Sequence, residues 1–326
     1  MSDPFVFQSI LSCPIQGYIE EKKAVGYNFG KGAAMLKRFD IFVKSFGLEE
    51  VSLPKKLVLE WTKLTPNETV SNQSHRISLL RGLAEYMNRI GYPAYIYPRG
   101  LVTIDRYSYT PYIFSEVELL SILNVCDSYP KAAASPYRHL VLPLIMRMLY
   151  GCGLRISEAL NLSIDDVDLR EGTLFIADTK FGKERLIPMS DSLRKRCHDH
   201  RMSVLACRAG KDPFYPSPYG GSYSSSTISS LFRQILWKAG ISHSGKGPRL
   251  HDMRHTFAVH CLKKWVLNGR DLSNCLPYLS AYLGHEDMRG SQRYLRLTAD
   301  LYPDITAKVE ESCSWLIPET ESNETD

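Results

Sequence analysis

Four short stretches carry side chains that could act together on a phosphate. They are "GLRISEALNL" around Arg155, "TKFGKERLIPM" around Lys180, "HDMRHTFAVH" with His251 and Arg254, and "LGHEDMRGSQRYLRLT" with His285 and Tyr294. Guanidinium groups bind phosphate oxygens in a bidentate way that lysine cannot match. A phosphodiester under attack gains negative charge on its non-bridging oxygens, so two arginines suit that transition state. A phenol is a weak nucleophile until it loses its proton, at a pKa of about 10. Nearby cations lower that value, and a neutral histidine can accept the proton. Attack by Tyr294 would form a phosphotyrosine ester and expel a hydroxyl, whose proton a mobile lysine on a hairpin tip can supply. The arginines would do the charge work, so neither metal nor cofactor is expected.

Each residue also has an ordinary reading. Arg155 has Glu158 three positions on, the spacing of a helical ion pair. Lys180 sits in a turn, where lysines are commonly just solvated. His251 and His255 have the i, i+4 spacing of zinc ligands. Asp252, however, stands where a zincin needs glutamate, and Arg254 between them would repel a cation. His255 therefore reads as a buried, hydrogen-bonded helix residue. Asp165, Asp166 and Asp168 read as a turn into a strand rather than a two-metal site. Among rival tyrosines, Tyr278 and Tyr282 fit apolar helix packing, and Tyr302 precedes Pro303 at a helix end. Arg289, Arg293 and Arg296 flank Tyr294 as phosphate contacts or as a solvated face.

The elements that must position these groups follow from periodicity. Residues 15–90 space apolar side chains three and four apart, as helices do, with Pro54 and Pro66 as punctuation and Gly91 as a C-cap. Residues 92–114, with three prolines and six tyrosines, lose that period and read as a linker. At Ser115, "SEVE" is a capping box with Glu118 as its second half. "YRHLVLPLIMRMLYGCG" reads as a buried helix with Pro143 as a kink. "DVDL", "TLFIAD" and "ERLIPM" are short β-type runs separated by turns, which predicts a three-stranded antiparallel sheet. "PFYPSPYGGSYSSST" (213–227) reads as a loop before a helix at about 226–239, and the chain is helical again from 251.

Bulk properties bound the class. The chain has 326 residues with 44% hydrophobic and 23% charged content, typical of a globular protein. It shows neither an apolar run long enough to span a membrane nor a signal peptide. Eight scattered cysteines without a CxxC pair suggest reduced thiols in the cytoplasm. The net charge is +5, but residues 310–326 hold six acids, leaving 40 basic against 29 acidic residues before them, a net of +11. A basic body with an acidic tail suits a polyanion partner.

In order and context the four stretches resemble the tyrosine recombinase (phage integrase) family over residues 15–300. The motifs are G-L-R-x-S-E, a hairpin K-x-x-K-E-R-L-x-P, H-x-x-R-H, and L-G-H followed nine residues later by Tyr. The resemblance implies that Arg155 and Arg254 are catalytic arginines, Lys180 the hairpin general acid with Lys183 as the fallback, and Tyr294 the nucleophile. His251 pairs with Arg254, and His285 is the last histidine of the site. It implies a mainly α fold: an N-terminal helical bundle (a SAM-like core-binding domain) over 1–95, a linker over 96–114, and a mixed α+β catalytic domain over 115–303. A C-terminal helix and acidic tail follow over 304–326, with Val309, Trp315, Leu316 and Ile317 as anchors on a neighbouring protomer or on their own domain. The two domains would clamp duplex DNA with inverted-repeat core sites, as a dimer per site and a tetramer in synapsis. Helper recombinases or DNA-bending accessory proteins are compatible partners. The segment between H-x-x-R-H and L-G-H is several residues longer than the compact family pattern and looks like that of recombinases of transposons and other mobile elements. Two rival readings are a DNA-binding protein that has lost catalysis and a type IB topoisomerase-like enzyme.

Overall fold

The computed structural model describes residues 6–27, 29–103, 110–177, 184–245, 247–285 and 289–301. The chain divides into two compact units, Met1–Tyr109 and Thr110–Asp326. Lys180, Lys183, Tyr302 and the C-terminal anchors Val309, Trp315, Leu316 and Ile317 lie outside the described residues.

Unit 1 is built from α1 (Ser12–Ala24), α2 (Gly30–Phe46), α3 (Lys55–Thr62) and α4 (Val70–Arg89). Each helix buries a stripe at three- and four-residue spacing, such as Leu36, Phe39 and Val43 on α2 or Leu80, Leu83 and Met87 on α4. The turn before α4 is closed by Arg76, which donates to both oxygens of Glu68 and to the carbonyls of Trp61 and Lys63. The hydrogen bond from Arg76 holds the Glu68 carboxyl at about 2, against an ordinary 4.5. A group depressed in the folded state contributes stability above its unfolded pKa and loses it as pH falls through the folded value. Glu68→Gln should therefore flatten the pH dependence of unit 1 stability between about 4.5 and 2, read as melting midpoints by circular dichroism. A slope equal to that of the parent would assign the acid sensitivity elsewhere.

Unit 2 opens with α5 (Glu116–Asp127), capped by the reciprocal Ser115–Glu118 box. It continues through α6 (Arg138–Gly151) and α7 (Ile156–Asn161) to β1 (Val167–Asp168), β2 (Thr173–Ile176) and β3 (Arg185–Pro188). The strands form one antiparallel sheet in the order β1-β2-β3, with Leu174 opposite both Val167 and Ile187. Then come α8 (Asp191–Val204), α9 (Ser225–Lys238), α10 (Asp252–Leu267), α11 (Leu272–Leu283) and α12 (Arg289–Leu301). Helix α6 is apolar nearly all round, and its Leu142, Ile145, Met146 and Leu149 are buried where α5, α8 and α10 pack against it. Pro143 lies inside this helix.

The loop between α8 and α9 is pinned by Phe214 and Tyr215, both fully buried. Asp166 and Asp168 accept hydrogen bonds from Ser163, Arg170 and Glu171 close by in sequence, which is turn chemistry rather than metal ligation. A smaller core joins α10, α11 and α12 through Val259, Leu262, Leu279, Leu283, Tyr294 and Leu297. Tyr282 stacks on Phe257 there. Tyr278 departs from the packing expected of it: it is 75% exposed, because the face of α11 turned inward carries Leu276, Leu279 and Leu283 instead.

Candidate active site

Arg155 follows a tight exit from α6. Gly153 adopts φ +57, and a Cβ there would stand 2.4 Å from the Phe257 ring, so only glycine fits. This places Arg155 at the start of α7, where Glu158 accepts its backbone N–H at 2.9 Å and its guanidinium at 2.6 Å. The second terminal nitrogen of Arg155 donates to the Gly284 carbonyl at 3.2 Å. Gly284 in turn has φ +64, and a Cβ would meet the Arg185 guanidinium at 2.8 Å. The two glycines thus let backbone carbonyls approach the arginines closely.

Glu158 is the shared counterion. Arg185 donates to it at 2.9 Å and to the Tyr282 carbonyl at 2.9 Å, and Arg254 approaches its carboxylate at 3.7 Å. Burial opposes ionisation of Glu158, but hydrogen bonds from Arg185 and from the Arg155 backbone outweigh it and hold the carboxyl below its usual range. Arg254 is 2% exposed and donates to the carbonyls of Gly153 at 2.7 Å and Leu283 at 2.5 Å. Burial, with Arg155 second, brings Arg254 down to about 10, which leaves it a cation at neutral pH. Breaking a buried ion pair costs about 3–5 kcal/mol, because the partner charges are left uncompensated. Glu158→Gln should therefore lower both the melting temperature and the rate of any chemistry the arginines support. An unchanged melting midpoint would show that the carboxylate does not hold the cluster.

The histidines and tyrosine complete the constellation. His251 precedes α10 with its ring open to solvent, and burial of its inner side, with Arg254 and Arg155 nearby, brings its pKa to about 4. His255, one turn on, meets the His251 ring edge-on at 4.7 Å between centroids. His285 Nδ1 lies 2.8 Å from Ser291 Oγ, and its ring stacks on Tyr294 at 5.9 Å. Tyr294 is 3% exposed, and its hydroxyl lies 3.0 Å from His255 Nδ1. Burial raises the Tyr294 pKa, while the charge of Arg254 and its hydrogen bond to the phenol work against that rise.

The structure thus brings Arg155, His251, Arg254, His285 and Tyr294 into one cluster, from segments as much as 129 residues apart. Sequence reasoning gave no site role to Glu158, Arg185 or His255. Glu158 and Arg185 were visible as the last residue of G-L-R-x-S-E and the R of K-E-R-L, and His255 as the second histidine of H-x-x-R-H. The described residues hold no group of three or more potential metal ligands. Two guanidiniums beside a buried phenol and neutral imidazoles can bind a phosphodiester and present an oxygen nucleophile to it.

Residues 113–300 match the sequence profile of the phage integrase family. The Sinorhizobium fredii protein y4rB, named for an integrase/recombinase, is 28% identical over 305 residues, 91% of this chain and 96% of that one. The tyrosine recombinase XerC of Oceanobacillus iheyensis is 26% identical over 294 residues, covering 86% of this chain and 88% of its own. In fold, the chain is similar to the XerH site-specific recombinase bound to palindromic difH substrate in a post-cleavage complex. The TM-score is 0.64 at 18% identity, over 93% of this chain and 84% of that one.

Proposed function

The chain belongs to the phage integrase family, and on that premise we propose that it cleaves and rejoins duplex DNA through a covalent bond between Tyr294 and a 3′ phosphate. It is a tyrosine-type site-specific recombinase. The observation that carries the residue assignment is the buried Tyr294 hydroxyl, set against Arg254 and His255 inside the cluster that also holds Arg155, His251 and His285. Arg155 and Arg254 bind the non-bridging oxygens of the scissile phosphate and offset the charge it gains. Tyr294 attacks phosphorus, the bond to the 5′ oxygen breaks, and Lys180 on the hairpin tip donates the proton that oxygen needs. The phosphotyrosine ester conserves the energy of the broken bond, so a 5′ hydroxyl from a second duplex can attack it and give a Holliday junction. Neither ATP nor a metal ion enters this scheme.

Binding rests mostly on phosphate contacts by Lys and Arg, so affinity falls steeply with salt. Two protomers occupy an inverted-repeat core site and four form the synapse. The long segment between H-x-x-R-H and L-G-H favours integration, excision or transposition of a mobile element over resolution of chromosome dimers. The free thiols of the described cysteines suit a cytoplasmic setting.

The test is covalent trapping. The full chain is incubated in EDTA with a nicked-duplex pool made from DNA flanking its gene, quenched in denaturant, and digested with trypsin. The expected product is a nucleotide-bearing peptide containing Tyr294. Salt-sensitive binding without any adduct would instead favour a DNA-binding protein without catalysis.

A further inference from the structure

Three histidines and a tyrosine crowd the end of the site, and one of those histidines has no part in the scheme above. His255 Nδ1 lies 3.0 Å from the Tyr294 hydroxyl, with the two rings 5.6 Å apart. Arg254 already donates a hydrogen bond to that same phenol oxygen. An oxygen that accepts from a guanidinium keeps its own proton for another acceptor, so the phenol O–H points at Nδ1 and the ring proton resides on Nε2. His285 is placed differently: its ring lies nearly parallel to the phenol, at 23°, with Nδ1 on Ser291.

We propose that His255 is a catalytic residue, the group that takes the proton from Tyr294 as it attacks phosphorus and returns it when the strand is rejoined. This inference rests on the strand-transfer reading above. The Tyr294 O–H bond breaks, its proton forms a bond to Nδ1, and an oxygen lone pair forms the new bond to phosphorus. The bond from phosphorus to the 5′ oxygen breaks, its electron pair stays on that oxygen, and the Lys180 ammonium supplies the oxygen's proton. Rejoining reverses each transfer: Lys180 recovers its proton from the attacking 5′ hydroxyl, and the His255 imidazolium gives its proton to the departing phenolate. The site ends as it began.

The surroundings of His255 explain why this proton transfer waits for DNA. His251 and Arg254 face it from α10, Arg293 and Tyr294 from α12, and His285 from the turn between α11 and α12. Burial, then His251, Arg293, Arg254 and His285, push its pKa down to about 3. The ring is therefore neutral and a hydrogen-bond acceptor at physiological pH. A phosphodiester seated on the arginines brings negative charge that offsets the same cations, and the additional charge that develops during attack raises the imidazole's proton affinity further.

The experiment compares wild type, His255→Ala, His255→Asn and Lys180→Ala in single-turnover adduct formation on the nicked site recovered by trapping. Asn keeps a hydrogen-bond acceptor near the position of Nδ1 without its basicity. Each protein is also tested on the same duplex with sulfur replacing the scissile 5′ oxygen, since a thiolate leaves without a proton. Both His255 variants should bind DNA as wild type does and lose about a hundredfold or more in rate on both substrates, in the range of a missing general base. Lys180→Ala should recover only on the sulfur substrate. An Asn variant as fast as wild type would reduce His255 to an orienting contact and overturn the proposal. So would rescue of His255→Ala by sulfur, which would move the residue to the leaving-group side, or a loss of rate matched by lost DNA binding. A wild type that forms no adduct on any DNA would instead sink the strand-transfer reading, and this step with it.

Discussion

Tyr294→Phe is expected to bind DNA as tightly as wild type and to form no covalent adduct. The substitution removes one oxygen from a side chain that is 3% exposed and changes nothing else in the small core of α10, α11 and α12. The ring keeps its stacking on His285, and Arg254 keeps its bonds to the Gly153 and Leu283 carbonyls. The cost to folding is the Nδ1 acceptor of His255 left without its partner, about 1–3 kcal/mol for a buried polar group. The Arg and Lys contacts that dominate affinity are untouched, so a gel-shift titration should superimpose on that of wild type at every salt concentration. The covalent product, read on a denaturing gel, should vanish altogether, because no other group in the cluster carries a phenol. An adduct that persists in the Phe variant would assign the nucleophile to a different tyrosine. A Phe variant that no longer binds DNA would mean that Tyr294 holds the site together rather than acting in it.

Much of this arrangement is readable from one sequence, and the rest fails for identifiable reasons. The helices of unit 1 and α6 follow from apolar residues three and four apart, and the sheet from three short runs split by turns. The motif spacing around Arg155, Arg254, His285 and Tyr294 likewise points to one phosphate. What spacing cannot give is a contact between distant segments. Arg185 reads as one more charge on a hairpin, yet its guanidinium bridges Glu158 and the Tyr282 carbonyl, 27 and 97 residues away. Glu158 looks like the helical partner of Arg155, and it is, but a local rule does not reveal that two further arginines converge on it. His255 was legible as a buried, hydrogen-bonded residue, while the identity of its partner, 39 residues on, was not. Periodicity misleads at Tyr278 because several apolar residues share α11 and only packing decides which face turns inward. Composition similarly marks 213–227 as loop without disclosing that Phe214 and Tyr215 are core side chains.

Arg254→Ala and Arg155→Ala should each lose about a thousandfold or more in adduct formation, the scale seen when an arginine that stabilises a transferring phosphoryl group is removed. Their effects on stability should differ sharply. Arg254 is 2% exposed and satisfies two backbone carbonyls, of Gly153 beyond the end of α6 and of Leu283 at the end of α11. Removing it leaves both carbonyls unpaired in the interior, at about 1–3 kcal/mol each, and takes one cation away from Glu158. Arg155 has a 21% exposed side chain, so water can replace much of what it gives to Gly284 and Glu158. Arg254→Lys should not rescue the Ala variant, since one ammonium cannot span both carbonyls and still present a fork to phosphate. Thermal melts and single-turnover trapping on the same preparations check all of this. Wild-type cleavage by either Ala variant would show that the phosphate is bound elsewhere. Equal losses of melting temperature would show that Arg254 is no more a structural cation than Arg155, despite its burial. A large stability loss confined to Arg254→Ala, with both variants inactive, would mean that one guanidinium both holds α6 and α11 to the site and receives the phosphate between them.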